Sequence, residues 1–148
     1  SYPLCGKRGY PTHYKGDAGL GRPVLDLQAG AMMAPMNLGR RVCTGAEFAP
    51  LGAPPTPVQM RRAEARAREL LPLGPAIEPT PWLGNRPCLP DMLPVIGAAP
   101  NHKGLWVHFG HAHQGFTLGP VTGRLLAEMM NRETPYFDPQ PYSPMRFH

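Results

Sequence analysis

The chain has 148 residues, 42% hydrophobic, with 21 prolines, 17 glycines and a formal net charge of +5. That length and apolar content suit one folded domain with its own core and exclude a disordered chain. No apolar run is long enough to span a bilayer, and the arginines are dispersed, which argues against a nucleic-acid surface. The one dense basic run, Arg61 to Arg68, alternates with Ala and Glu as a solvated helix face does. Cys5, Cys43 and Cys88 show no CxxC spacing, as expected in a reducing compartment. The expected location is therefore cytoplasmic, with a peripheral place at the inner face of the membrane as the alternative. No Met opens the chain, so a cut chain or N-terminal processing is expected.

Taken in order, Lys7 to Tyr14 places Tyr10, Thr12 and Tyr14 on one parity, as a half-buried strand does. Val24 to Leu27 and Ala31 to Pro35 are apolar runs around Gln28-Ala29-Gly30, a hairpin pattern. Arg40 to Phe48 reads as a strand with Val42, Thr44, Ala46 and Phe48 on one face and Arg41, Cys43 and Glu47 on the other. Gly45 marks a bulge there. Pro50 to Pro57 is an extended connector. Thr56 as cap, Pro57 at the first position and Gln59 as the box partner predict a helix over 57–71. Its stripe is Met60, Ala63, Ala67, Leu70 and Leu71, and Glu64 can pair with Arg68 at i,i+4. That helix is expected to cover one face of the sheet and to carry no chemistry. Ile77 to Asn85 is a strand broken by Pro79 and Pro81.

Asn85 to Met130 reads as a loop, a buried strand at Leu105 to Phe109, a Gly-rich turn and a helix from near Pro120 to near Asn131. Val121, Leu125 and Met129 share a face of that helix, flanked by Leu126 and Met130. Gly115, Gly119 and Gly123 recur every four residues. They form a smooth strip for close approach of a backbone or flat ring, or are separate turn and packing glycines. The tail beyond Thr134 carries Tyr136, Phe137, Tyr142 and Phe147 among prolines, to dock on the body or on a neighbouring subunit. The helix N-terminus behind the turn presents unpaired N–H groups and suits an anionic or electron-rich ligand.

The order Arg86-Pro87-x-x-Pro90-Asp91, Pro94-x-Ile96-Gly97, a strand, then Gly110-His111-x-x-x-Gly115-Phe116-Thr117-Leu118-Gly119-Pro120-x-x-Gly123 resembles one known family. This order is similar to the C-terminal end of the FAD-dependent D-amino-acid dehydrogenase and glycine/sarcosine oxidase (DAO) family. Upstream, Arg8-Gly9-Tyr10, Arg22 to Leu25, Ala34 to Met36 and Arg41 to Phe48 are similar to that family's substrate-domain strands. The resemblance runs from about Arg8 to Asn131. It implies an α+β fold: a mostly antiparallel substrate-domain sheet with a covering helix, plus the C-terminal strand and helix of an FAD-binding domain. The implied organisation is a substrate-domain segment over 1–84, a flavin-contacting segment over 85–131 and a tail over 132–148.

The Rossmann half that holds the FAD pyrophosphate is absent. The one Gly-x-Gly, Gly19 and Gly21, runs into Arg22, Pro23 and Val24 instead of a third glycine and a helix. FAD is thus expected only with that missing half, and these residues alone are not expected to bind it firmly or to turn over.

By the same resemblance Arg86 is the catalytic and substrate-binding residue, pairing its planar fork with the substrate carboxylate. Gly110, His111, Gln114, Gly115, Phe116 and Thr117 contact the flavin, largely through main chain. His113 and Tyr10 are assigned to the substrate, Tyr10 as pocket wall with core packing as the alternative. Met32, Met33 and Met36 line a pocket or core, and one of Arg40 and Arg41 faces the pocket. Cys88 is a buried thiol, not a covalent flavin link, and Asp91 braces its loop. The implied reaction is hydride transfer from the amine substrate's α-carbon to flavin N5. The imine then hydrolyses to a keto acid, with no general base required. Two other readings stand beside it. One is a non-catalytic module or partner subunit completing a flavin site in trans. The other is a metalloprotein built on His108, His111 and His113, against which the lack of a nearby carboxylate or cysteine counts. No metal is expected. Self-association through the uncovered inter-domain surface is.

Overall fold

The computed structural model describes residues 1–16 and 19–147. Its strands are β1 (Cys5–Gly9), β2 (Pro11–Tyr14), β3 (Val24–Asp26), β4 (Ala31–Met36), β5 (Gly39–Cys43), β6 (Glu47–Phe48), β7 (Gly84–Cys88), β8 (Val95–Ala98) and β9 (Trp106–Phe109). The helices are α1 (Val58–Leu70) and α2 (Gly115–Met130), with short 3-10 turns at Gln140–Tyr142 and Pro144–Phe147. The chain divides into two compact units. A sheet–helix unit comprises Arg8–Phe48 and Gly52–Asn85; a turn–helix unit comprises Ser1–Lys7, Ala49–Leu51 and Arg86–His148.

In the sheet–helix unit β2, β5, β4 and β3 form an antiparallel sheet in that order, with Thr12 opposite Val42, Met33 opposite Val42 and Val24 opposite Met33. Side chains alternate between the faces. Tyr14, Ala31, Met33 and Val42 therefore point to one side, where Met60, Ala63 and Ala67 of α1 complete the core with Tyr10. The β3–β4 hairpin closes where the Asp26 carboxylate accepts the Gln28 and Ala29 N–H groups at 2.9 and 3.1 Å, the local bonding that favours Asp in turns. Gly39 turns β4 into β5 at φ 134°, and a Cβ there would run into the Tyr14 carbonyl.

Three expectations fail in this unit. The strand over Arg40 to Phe48 breaks between β5 and β6, and Phe48 is 72% exposed instead of sharing a buried face with Val42. The capping box does not form: α1 has no side-chain cap, Thr56 Oγ1 donates to Glu47, and Gln59 Nε2 donates to the Ala46 carbonyl at 2.9 Å. The Thr56 hydroxyl is turned toward the Glu47 carboxylate, to which it donates a charge-assisted bond, and its oxygen accepts from no α1 amide. Leu70 lies outside the buried stripe, 46% exposed. The i,i+4 pair does form, Arg68 to Glu64 at 2.8 Å.

Glu47 anchors a partly buried polar network. Arg8, 1% exposed, reaches its Oε2 at 2.8 Å and donates to the carbonyls of Ala53 and Pro54 at 2.6 and 3.1 Å. The Tyr10 hydroxyl donates to the same carboxylate at 2.7 Å and accepts the Thr56 N–H at 2.9 Å.

In the turn–helix unit β8 pairs antiparallel with β9, Val95 opposite Phe109 and Gly97 opposite Val107. The region read as a loop before β9 thus contains strand β8 and the end of β7. β8 is the buried member, with Val95 and Ile96 fully covered, while β9 is half-buried. Helix α2 packs on this pair, and its Leu125 is fully buried. The tail docks on the same body. Tyr136 N–H donates to Glu128 at 2.9 Å, and Arg124 lies 4.3 Å over the Tyr136 ring. Tyr2 brings the chain start against Phe109 and Phe147, at ring separations of 5.2 and 6.4 Å.

Candidate functional site

The second half of β7 carries Arg86, half-buried, then Pro87 and the buried Cys88. Burial raises the Cys88 thiol above its usual value, against the lowering pull of Lys7 and Arg86. A thiol held neutral and covered is a poor nucleophile. Beyond it the loop is braced as expected of Asp91. Its carboxylate takes Arg146 Nε at 2.8 Å and the Leu93 N–H at 3.0 Å, and Arg146, foremost, holds it below the usual carboxylate range. Arg146 Nη2 also donates to the Leu93 carbonyl at 2.7 Å.

The Gly-rich turn is built onto β7. Ala112 N–H donates to the Pro87 carbonyl at 3.0 Å, beside Arg86 in sequence. Gly110 sits at φ 82°, and a Cβ there would lie 2.7 Å from Leu89 Cδ1. Only glycine meets both the left-handed backbone and that close approach without strain. Gln114 N–H closes on the His111 carbonyl at 2.9 Å.

Helix α2 then starts at Gly115, not near Pro120. Pro120 lies inside it, at the cost of the bond that a residue 120 N–H would make to the Phe116 carbonyl. Gly115, Phe116 and Thr117 are therefore the first helical turn and not part of a loop. Leu118 N–H is the first to bond back, to Gln114 at 2.8 Å, and α2 has no side-chain cap and no acid in its first turn. The amides of Gly115, Phe116 and Thr117 have no acceptor among the described residues. Phe116 is 99% exposed, and a Cβ at Gly119 or Gly123 would meet nothing within 4 Å. An uncapped helix start beside an open glycine strip fits the electron-rich edge of a flat ring such as flavin.

Thr122, buried on α2, was not singled out by the sequence pattern, although it stands one turn before the buried Leu125. Its hydroxyl donates to the Leu118 carbonyl at 2.7 Å and lies 2.8 Å from His108 Nε2 and 3.0 Å from His111 Nε2. A hydroxyl has one proton and two lone pairs. With the proton on Leu118, both imidazoles must donate, so both carry their hydrogen on Nε2. The rings meet edge to face at 4.5 Å. Burial pushes both below the usual histidine value, and His108 lowers His111 further. The pair is thus held neutral and locks β9 and the turn to α2. His113 is exposed and stands apart from it. Among the described residues no three His, Cys, Asp or Glu side chains converge as a metal site.

Arg86, Gly110, His111, His113, Gln114, Gly115, Phe116 and Thr117 all lie in the turn–helix unit. Tyr10 belongs to the other unit, 1% exposed and with its hydroxyl committed to Glu47 and Thr56. Of its two readings, core packing describes its surroundings.

Residues 3–129 match the family model described as "FAD dependent oxidoreductase", DAO. The chain belongs to the DAO family of FAD-dependent oxidoreductases. A glycine oxidase of Pseudomonas aeruginosa is 41% identical over 91 residues, covering 61% of this chain and 25% of that protein. A D-amino-acid oxidase of Bradyrhizobium diazoefficiens is 31% identical over 153 aligned positions, covering 98% of this chain and 36% of that protein. Among solved structures, glycine oxidase from Geobacillus kaustophilus superposes with a TM-score of 0.75 at 26% identity, covering 97% of this chain and 39% of that one. This DAO-family chain thus spans between a quarter and two fifths of those relatives' length. Its antiparallel sheets and two helices are α+β, as expected. Among the described residues no helix is long and apolar enough to cross a membrane.

Proposed function

We propose that the chain supplies the carboxylate-binding arginine and the main-chain flavin support of an amino-acid oxidase or dehydrogenase. The observation that carries this is the Ala112–Pro87 hydrogen bond. It ties the strand bearing Arg86 to the turn that leads into the uncapped start of α2. Substrate-recognising and flavin-supporting residues are thereby built into one frame. FAD, where bound, would supply the hydride acceptor for oxidation at the substrate α-carbon. Arg86 holds the substrate carboxylate through two parallel N–H bonds and so fixes the α-carbon's direction. The free amides of Gly115, Phe116 and Thr117 donate to the ligand's electron-rich edge, and the α2 dipole favours negative charge there. Gly110 and the Thr122–His111 bond keep the turn in position. No side chain of this unit is required as a base when the substrate amine is neutral.

Relatives named glycine oxidase and D-amino-acid oxidase direct the proposal to an amino-acid substrate. Firm FAD binding requires a dinucleotide-binding half, on the same chain or supplied in trans, and the chain by itself is inactive. The strip around Phe116 is where that half or a second copy packs.

The test is steady-state kinetics of the protein complete with its dinucleotide-binding half. Arg86→Ala should lower kcat/KM about a hundredfold for carboxylate substrates, as expected when a desolvated charge pair is lost. It should leave a decarboxylated amine analogue nearly unaffected. Unchanged kcat/KM on the amino acid would remove Arg86 from this role.

A further inference from the structure

Adjacent arginines on β5 have opposite fates. Arg40 is buried on the α1 side and donates to the Leu20 carbonyl at 3.3 Å. Arg41 points to the other face of the sheet, where the register sets it directly opposite His13 on β2 and Ala34 on β4. Its Nε–H donates to His13 Nε2 at 2.9 Å. That nitrogen can accept only if His13 carries its proton on Nδ1. His13 Nδ1 indeed faces Glu78 Oε1 at 2.5 Å, and the other Glu78 oxygen takes the His13 backbone N–H at 2.8 Å. Burial alone would raise the Glu78 carboxyl, but the bonds from the His13 backbone and ring outweigh it and hold it ionised.

A relay results: Glu78 carboxylate, His13 ring, Arg41 guanidinium. It consumes Nε and leaves both Nη groups of Arg41 without a partner among the described residues. The outer end of the guanidinium is thereby oriented as a fork. Met32 and Met36, each 41% exposed, flank Ala34 on the neighbouring strand of the same face, and Leu25 beyond them is 59% exposed. On these strands the only acid is Asp26, and it points to the α1 side, paired with Arg66 at 2.9 Å. A fixed fork beside exposed aliphatic and thioether side chains matches a carboxylate with a short apolar body.

We propose that Arg41 is a carboxylate-binding site of the sheet–helix unit and that His13 and Glu78 are its positioning residues. The site is independent of the flavin chemistry proposed above, so it is tested without FAD. The 148-residue chain, labelled with 15N, is titrated with propionate and, separately, with neutral propionamide. Propionate should shift the Arg41 side-chain signals saturably, and propionamide should not. Arg41→Gln should weaken propionate binding at least about tenfold, as expected for a lost charge-assisted bond. Arg62→Gln, which removes one exposed charge on α1, should leave it unchanged. His13→Phe, which frees Nε of the fork, should weaken binding without removing a charge. In the wild-type chain the His13 ring nitrogens should report the Nδ1–H tautomer. Equal titration of the Arg41→Gln and wild-type chains, or a His13 ring protonated on Nε2 instead, would overturn the proposal. The tautomer measurement holds even where a variant fails to fold.

Discussion

In the sheet–helix unit Arg8 is 1% exposed, and its guanidinium is spent on Glu47 and the carbonyls of Ala53 and Pro54. In the turn–helix unit the amides at the start of α2 meet no acceptor among the described residues, and Phe116 beside them is 99% exposed. Residue type alone would rank Arg8 and Tyr10 as attractive site residues. Their partners show that they brace a core, because a buried charge is tolerable only when its bonds are made. The open donors and the bare ring leave the start of α2 with groups that no described residue uses. Availability, not chemical type, separates Arg8 and Tyr10 from the amides at the start of α2.

The sharpest way to break this contrast is Arg8→Met, which leaves Glu47 and two carbonyls without their donor. Removing one partner of a buried pair costs about 3–5 kcal/mol, so urea denaturation should show the sheet–helix unit unfolding at markedly lower denaturant. A loss below about 1 kcal/mol, the level of a surface pair, would mean the network does not brace that unit. Next comes Gly110→Ala, which forces a Cβ against Leu89 at a left-handed backbone position. Overpacking and backbone strain of this kind cost about 1–3 kcal/mol. Proteolysis should then report opening confined to the turn–helix unit, and an unchanged pattern would remove the turn's rigidity from the account.

A smaller effect comes from Thr122→Val, which removes the shared acceptor of His108 and His111 at nearly constant volume. Wild type should first show a dependence on pH. Both histidines are lowered from the ordinary 6.5 in the folded chain, so below that pH the unfolded chain binds more protons. Stability is then full above about pH 6.5 and falls as the pH drops toward the folded values. Replacing His108 by Gln should flatten that slope, and thermal melts between pH 5 and 8 would show it. A stability that rose on acidification would contradict the neutral pair. Last, Phe116→Ser should change stability by no more than about 0.5 kcal/mol, as exposed substitutions do. It should nonetheless reduce self-association in sedimentation velocity. A wild-type chain that is monomeric at every concentration would count against that surface as a docking face.

Much of the architecture was legible because its signals are local. Alternation put Tyr10, Thr12 and Tyr14 on one parity, and all three are buried; the stripe of Met60, Ala63 and Ala67 identified the covering face of α1. The turn motif was legible as well, since Gly110 and the glycines after it answer to backbone geometry within a few residues. What was misread depended on distant partners. Thr56 looked like a helix cap, but its side chain is turned toward Glu47, which folding brings next to it. Val95 to Ala98 looked like loop because a short strand between prolines is recognised only by its partner β9. Pro120 suggested a helix start, but α2 begins at Gly115, just past a turn tied to the distant Pro87 carbonyl.

The order of residues from Arg86 to Gly123 was enough by itself to set the family, the α+β class and the residues on which a carboxylate and a flavin would be sought. Folding alone decided that Tyr10 is core, that Thr122 joins His108 to His111, and that Arg41 rather than Arg40 faces outward on a relay from Glu78. Periodicity and motif spacing are properties of neighbouring residues and survive in the linear text. Hydrogen-bond partners such as His13 and Glu78, 65 residues apart, exist only once the chain has paid the entropy of bringing them together.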